Sequence, residues 1–224
     1  MDHGPQPALP SRCSSAEIAL IFADQLVLSF PDRFAGNLQS PLTGRTVEQS
    51  AIGPVLLEVL IGGLKACATL AVSMQSRRTL FGTEDAAHIT LTVSHSTFPF
   101  GSPEQQLVAW LAAQPKRNAF VDDAIMKTLI PFDSPNPQGL FFERALSGLV
   151  SRKIYECRTR TRWWLFSDTS LHLTEPTASD ILPHTRAFLT RLAQQRAQLA
   201  PAERLGVRNA FDVATTLRTA QSAS

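Results

Sequence analysis

The stretch that most constrains this chain is the run at 51–64, AIGPVLLEVLIGGL, which holds one charged side chain, Glu58. Val55, Leu56, Val59, Leu60 and Leu64 recur at helical spacing and predict a helix with a broad apolar stripe. Such a helix belongs in a core. Glu58 then needs a partner, because an isolated buried carboxylate is costly. Thr46-Val47-Glu48-Gln49 has the Thr-x-x-Gln form of a capping box and predicts the helix start. Pro54 lacks an N–H and implies a kink, or a start near Gly53. Gly62-Gly63 predicts a loosened far end.

A second informative stretch is 141–176, FFERALSGLVSRKIYECRTRTRWWLFSDTSLHLTEP. Leu140, Phe141, Ala145, Leu146, Leu149 and Val150 mark one apolar helix face. Gly148 weakens that helix by about 1 kcal/mol against Ala, so tertiary packing must hold it. Ile154 and Tyr155 end the element. Arg158, Arg160 and Arg162 then alternate with Cys157, Thr159 and Thr161. A period of two places the three guanidinium groups on one face of an extended segment. That face is either a solvated edge or a basic surface for phosphate, with Trp163 or Trp164 beside it.

The rest of the chain reads as helices and a hairpin. Residues 1–14 predict a loose, Pro-rich tail, and residues 15–220 one domain. Ser14 or Ser15 caps a helix with Glu17 in its first turn. Residues 16–30 are one buried helix, or a helix giving way to a strand near 26–30. Residues 31–44 are loop by composition. Residues 66–74 and 87–93 predict two strands, the second from the alternation of Ile89, Leu91 and Val93 with Thr90 and Thr92. Between them, residues 75–86 predict a hairpin tip carrying Arg77, Arg78, Leu80 and Phe81. It is either a plain solvent loop or an interfacial tip, apolar groups entering lipid while the arginines meet phosphates. Ser102, Pro103 and Glu104 form a helix start. A short helix follows at 121–130, with Asp122 and Asp123 favoured in its first turn by the dipole. Residues 178–200 and 202–220 are the last two helices, separated by Pro201.

Composition narrows the function. At 224 residues, with a net charge of +2, the chain has no global pull towards nucleic acid or membrane, so any basic surface is local. Cys13, Cys67 and Cys157 form no disulfide framework and no metal spacing, which fits a reducing compartment. Neither a signal peptide nor a spanning run is recognised, so a cytoplasmic protein is expected. His3, His88, His95, His172 and His184 show no zinc pairing. There is no nucleophile elbow, Gly-rich phosphate loop or carboxylate pair, so neither an enzyme nor a cofactor is expected. No internal repeat is visible.

Several phrases, in shared order, resemble the Golgi phosphoprotein 3 family. They are PVLLEVLIGGLK at 54–65, a hairpin carrying Arg77-Arg78, and the helix start Phe100-Gly101-Ser102. Glu143-Arg144 onward through Val150, then Trp164-Leu165-Phe166 and Leu173-Thr174-Glu175-Pro176, follow. The resemblance spans residues 15–215. It implies a mainly α single domain with a projecting β-hairpin. Eukaryotic members bind phosphatidylinositol 4-phosphate on membranes and hold membrane-protein tails for sorting. The chain departs at the headgroup site, where Thr43, Ile52, Gly139 and Phe142 stand in place of a Trp and three Arg. Arg45 and Arg144 are the nearby substitutes.

The resulting expectation is a peripheral membrane adaptor for anionic phospholipid, phosphatidylinositol 4-phosphate among them. Its lipid-binding residues would be Arg45, Arg77, Arg78, Leu80, Phe81 and Arg144. Membrane-protein tails, and a second copy of the chain at the hairpin, are the expected partners. The alternatives are a winged-helix-like nucleic-acid module, disfavoured by the near-neutral charge, and a protein scaffold without lipid.

Overall fold

The computed structural model describes residues 12–27, 37–40, 42–79, 82–93, 97–162 and 166–222. Its architecture is mainly α, with a few small antiparallel sheets. In chain order the elements are α1 (Ser15–Ile21), α2 (Ala23–Leu26), β1 (Asn37–Gln39), β2 (Thr46–Glu48) and α3 (Gln49–Ala66). They continue with β3 (Leu70–Thr79), β4 (Gly82–Leu91), α4 (Pro103–Ala113), β5 (Asn118–Phe120), α5 (Val121–Thr128) and α6 (Pro137–Ser151). The chain closes with β6 (Tyr155–Arg162), β7 (Phe166–Leu173), α7 (Glu175–Ile181), α8 (Thr185–Ala197) and α9 (Pro201–Ser222).

α3 runs through the centre. Ile52, Leu56, Leu57, Val59, Leu60 and Ile61 are fully buried, and α1, α8 and α9 pack around the helix. Glu58 is also fully buried. Its partners are Arg196 of α8, 2.8 Å away, and Arg208 of α9. The need for a partner, read from the sequence, is met by two arginines far along the chain.

Three features of α3 differ from the expectation. Thr46 does not cap it, because Thr46 pairs with Gln39 in the β1–β2 ladder and is therefore extended. The helix starts at Gln49, with Glu48 as an N-cap that makes no side-chain cap bond. Pro54 sits inside the helix rather than at its start; its missing N–H leaves the Ser50 carbonyl without an intrahelical donor. Gly62 does not loosen the far end. A Cβ there would collide with the Gln195 carbonyl of α8, so Gly62 is what lets the two backbones approach.

The caps at α1 and α4 follow the sequence. Ser14 and Glu17 form a reciprocal capping box. The Ser102 hydroxyl accepts the Gln105 N–H at 3.2 Å, with Pro103 in the first turn. Cys13 and Ser14, just ahead of α1, are buried. The single helix expected at 178–200 divides into α7 and α8 around a 3-10 turn, Leu182–His184, that contains Pro183.

One supersecondary unit occurs twice. Two residues past α3, Ala68 at φ 52° turns the chain into the β3–β4 hairpin; two residues past α6, Lys153 at φ 57° turns it into β6–β7. The bonding matches. Thr69 N–H donates to Leu64 O, and Ile154 N–H to Leu149 O, both at 2.9 Å. On the return strand Thr92 N–H closes onto Thr69 O, and Thr174 N–H onto Ile154 O. The sequences share little beyond a Gly-Leu pair at 63–64 and 148–149, which is why no repeat was legible. The two hairpins differ in their surroundings. β3–β4 gains β5 as a third strand and packs on α9, where Gly206 allows Met74 and Ala87 to come close. β6–β7 packs on α6 and, among the described residues, on no other element to a comparable extent.

Arg196→Ala and Arg208→Ala should each cost about 1 kcal/mol, since Glu58 keeps one partner. Together they should cost more than the sum, about 4 kcal/mol, because the carboxylate is then buried alone. Urea unfolding of the single and double variants measures this coupling.

Candidate functional site

The residues expected to bind lipid sit on separate elements. Arg77 and Arg78 lie on strand β3 rather than in a loop, because the hairpin ladder continues to Thr79↔Gly82. The longer strands were hidden because Gln75, Ser76, Glu84 and Asp85 make both faces polar there. Arg77 is held from two sides: Nη2 lies 2.7 Å from Glu84, its cross-strand neighbour, and Nη1 lies 2.6 Å from Asp122 of α5. Its guanidinium also stacks 5.0 Å from the Phe120 ring centre. Burial works against its charge, but the two carboxylates outweigh it and raise its pKa. Arg77 is thus a clasp between the hairpin and α5.

Arg78 is exposed, and no ion pair or hydrogen bond holds it among the described residues. Leu80 and Phe81 lie outside those residues. Arg45 is exposed in the turn between β1 and β2, its backbone N–H bonded to Thr43 Oγ1. Arg144 on α6 is half-buried, 5.8 Å from the Phe132 ring centre. Of the positions at which the family carries its headgroup residues, Ile52 and Phe142 are in the core. Thr43 Oγ1 donates to Asp24, and Gly139 N–H donates to the Asn136 cap.

Two further cationic features are present, the first without a sequence signal of its own. Arg196 and Arg208, already paired with Glu58, also line an open depression of about 520 Å³ at the first turn of α3, together with Ser50 and Asp212. The second feature is the β6–β7 hairpin. Its backbone register places Arg158 opposite Ser170, Arg160 opposite Asp168 and Arg162 opposite Phe166. The three arginines occupy alternate positions of one strand, so they share a face as the alternation predicted. Trp163, Trp164 and Leu165, which join the two strands in sequence, lie outside the described residues.

A group of buried acids surrounds the start of α1. The Glu17 carboxylate accepts from Ser14 N–H at 2.8 Å and pairs with Arg152, which also donates to the Phe100 and Arg12 carbonyls. Burial, with a contribution from Glu17, raises the Cys13 thiol to about 12; Arg152 pulls it down only partly. This thiol is protonated and unreactive at neutral pH. Burial also pushes the Tyr155 hydroxyl well above its usual value, and that hydroxyl makes no hydrogen bond. Glu104 Oε1 accepts Ala16 N–H at 2.8 Å, whereas Oε2 has no partner. Burial first, and then the nearby Glu17 charge, raise Glu104 to about 7, against the pull of Ser14 and Ala16.

Glu104 lines a cavity of about 210 Å³, walled by the start of α1, the end of α3, residues 97–99 and Arg191 of α8. Elsewhere, His88 is buried edge-on to Phe120, 5.3 Å between ring centres, and desolvation lowers its pKa. No group of three or more His, Cys, Asp or Glu among the described residues could hold a metal ion. α3 alone among the described helices is long and apolar enough to cross a membrane, and most of it is buried in the body. No protein-family model, curated protein or solved structure matches the chain.

Two outcomes follow. Arg77→Ala strands Asp122 and should cost about 2 kcal/mol in urea unfolding, a value reduced by the partial exposure of the pair. Arg78→Ala should stay within about 0.5 kcal/mol. For Glu104, the folded-state pKa lies above the unfolded value, so the native state binds the extra proton. Its contribution to stability is therefore greatest below about pH 4.5 and falls as pH rises to about 7. The difference in stability between wild type and Glu104→Gln should shift by about 3 kcal/mol across that window in favour of the variant. Melting curves at pH 5 and pH 8 measure it.

Proposed function

We propose that this chain is a peripheral membrane adaptor that meets anionic phospholipid through the β6–β7 hairpin. It acts by binding rather than turnover, on the cytoplasmic face. The observation that carries this reading is the placement of Arg158, Arg160 and Arg162 at alternate positions of one strand of the β6–β7 hairpin. Each basic side chain near an anionic surface contributes about 1 kcal/mol. Three on one face, followed in sequence by Trp163-Trp164-Leu165-Phe166, combine electrostatic attraction with interfacial aromatic groups. Arg78 and Arg144 add basic charge elsewhere, and Arg77 takes no part because Glu84 and Asp122 hold it. At the depression beside α3, Arg208 is the more exposed of the two Glu58 partners and the candidate there for a phosphate of a phosphoinositide such as phosphatidylinositol 4-phosphate, with Ser50 at the rim. Membrane-protein tails, or a second copy of the chain, are the partners such an adaptor would hold.

A nucleic-acid reading draws on the order of elements. α4, β5, α5, α6 and the β6–β7 hairpin follow one another as helix, strand, helix, helix and wing. It is the weaker reading on two counts: β5 pairs with β4 instead of the hairpin, and the exposed positions of α6 include Glu143, Ser147 and Ser151.

Co-sedimentation with vesicles separates the readings. Binding to phosphatidylserine-containing vesicles should exceed binding to neutral ones and fall at least tenfold in Arg158→Glu/Arg160→Glu/Arg162→Glu. Arg78→Glu should weaken it slightly. A further gain from phosphatidylinositol 4-phosphate that Arg208→Ala removes would place the headgroup at α3. Equal binding to neutral and anionic vesicles would sink the membrane reading, and a salt-sensitive shift of duplex DNA would replace it.

A further inference from the structure

The two helix–hairpin units correspond through their shared hydrogen bonds, and they differ at one edge. Thr92 N–H donates to Thr69 O in the first unit, and Thr174 N–H to Ile154 O in the second. These bonds make Leu91 and Ile89 of β4 the equivalents of Leu173 and Leu171 of β7. In an antiparallel ladder, successive residues turn their N–H and C=O groups to opposite edges. Thr92 and Thr174 bond across their own hairpins, so Leu91 and Leu173 turn to the outer edge. At β4 that edge is met by β5: Leu91 N–H donates to Arg117 O at 2.8 Å, and Ile89 stands opposite Ala119. β4 is thus the central strand of its sheet. Leu173, Leu171, Thr169 and Ser167 turn the same way from β7, yet among the described residues β7 pairs with β6 alone.

The two edges of the β6–β7 sheet are chemically unlike. β6 carries Arg158, Arg160 and Arg162, and charged side chains on an edge keep further strands from adding to it. β3, its equivalent, carries Arg77 and Arg78 and is also an edge strand. β7 contains no Lys, Arg, Pro or Gly, and its only acid is Asp168. It lacks the features that block strand addition. The layout matches that of β3 and β4, in which the second strand is central.

We propose that β7 pairs antiparallel with β7 of a second copy of this chain, about a twofold axis at Ser170. The pairing is self-complementary. Ser170 stands opposite the second copy's Ser170. Thr169 and Leu171, whose backbone groups turn outward, exchange N–H···O bonds with the second copy's Leu171 and Thr169. Asp168 comes opposite the second copy's His172, and no like charges meet. Residues opposite one another share a face, and Arg158 is opposite Ser170 within the hairpin. The arginines of both copies therefore lie on one face of a continuous β6–β7–β7–β6 sheet. The pairing deepens the membrane reading, and only its consequence rests on that reading: two linked basic strands hold an anionic surface with avidity.

Light scattering of the full chain over a concentration series tests the pairing. Wild type should rise from the monomer mass of 24.5 kDa towards twice that value. Thr169→Pro removes an outward N–H, leaves the ladder with β6 intact, and should hold the chain at the monomer mass. Ser170→Asp sets a carboxylate opposite Arg158 of its own hairpin but two carboxylates against each other at the axis. It should weaken the dimer about tenfold without lowering the urea midpoint of the monomer. Ser170→Cys should cross-link the copies under copper phenanthroline oxidation, because a non-hydrogen-bonded pair has Cα atoms about 4.5 Å apart. A monomer at every concentration overturns the proposal, as does a dimer that persists in both Thr169→Pro and Ser170→Asp. The membrane reading fails separately: a dimer with no preference for anionic vesicles removes that reading and leaves the β7 pairing standing.

Discussion

Glu58 is the point on which the body turns. A carboxylate in the middle of the most apolar helix is tolerable only while cations reach it, and they come from α8 and α9, 138 and 150 residues further along. The same arrangement recurs around it. Arg152 joins α6 to α1 through Glu17, and Arg77 joins β3 to α5 through Asp122. Arg218 of α9 donates to the carbonyls of Met126 and Ile130, closing the end of α5. Each of these arginines links segments distant in sequence. Replacing such pairs by apolar groups is often neutral for stability, so their physical effect here is to fix which helix meets which.

That use of arginine shapes the surface. The chain has 21 basic side chains against 19 acidic ones, and several of the arginines are turned inward. What remains for an anionic partner is therefore local. The alternating arginines of β6 form the densest basic run in the sequence. The near-neutral total is consistent with that arrangement, because net charge says little about where the unpaired charge sits.

Local chemistry was legible in the sequence and long-range pairing was not. The caps at Ser14 and Ser102 were readable because donor and acceptor lie within three residues. The extended run at 157–162 was readable from its period of two. The start of α3 was misread because a strand pairing from Gln39 overrides the capping box at Thr46. Arg77 looked free because its buried partner is 45 residues away. Glu104 was read only as an acidic residue in a first turn. The sequence held no sign that the start of α1 would fold over it, bury it, and leave one of its oxygens without a hydrogen bond.

The doubled helix–hairpin unit bears on the order in which the molecule assembles. Each unit is closed by contacts between near neighbours in the chain, and such contacts form quickly because little loop entropy opposes them. The arginine clasps on Glu58 must wait for α8 and α9. The β6–β7 hairpin belongs wholly to the fast class, since its ladder and its hinge at Lys153 need nothing from the last two helices. The β3–β4 hairpin straddles both classes, because its outer face is completed only when α9 arrives. One copy of the unit can therefore close its ladder on local contacts, while the other is completed only against α9.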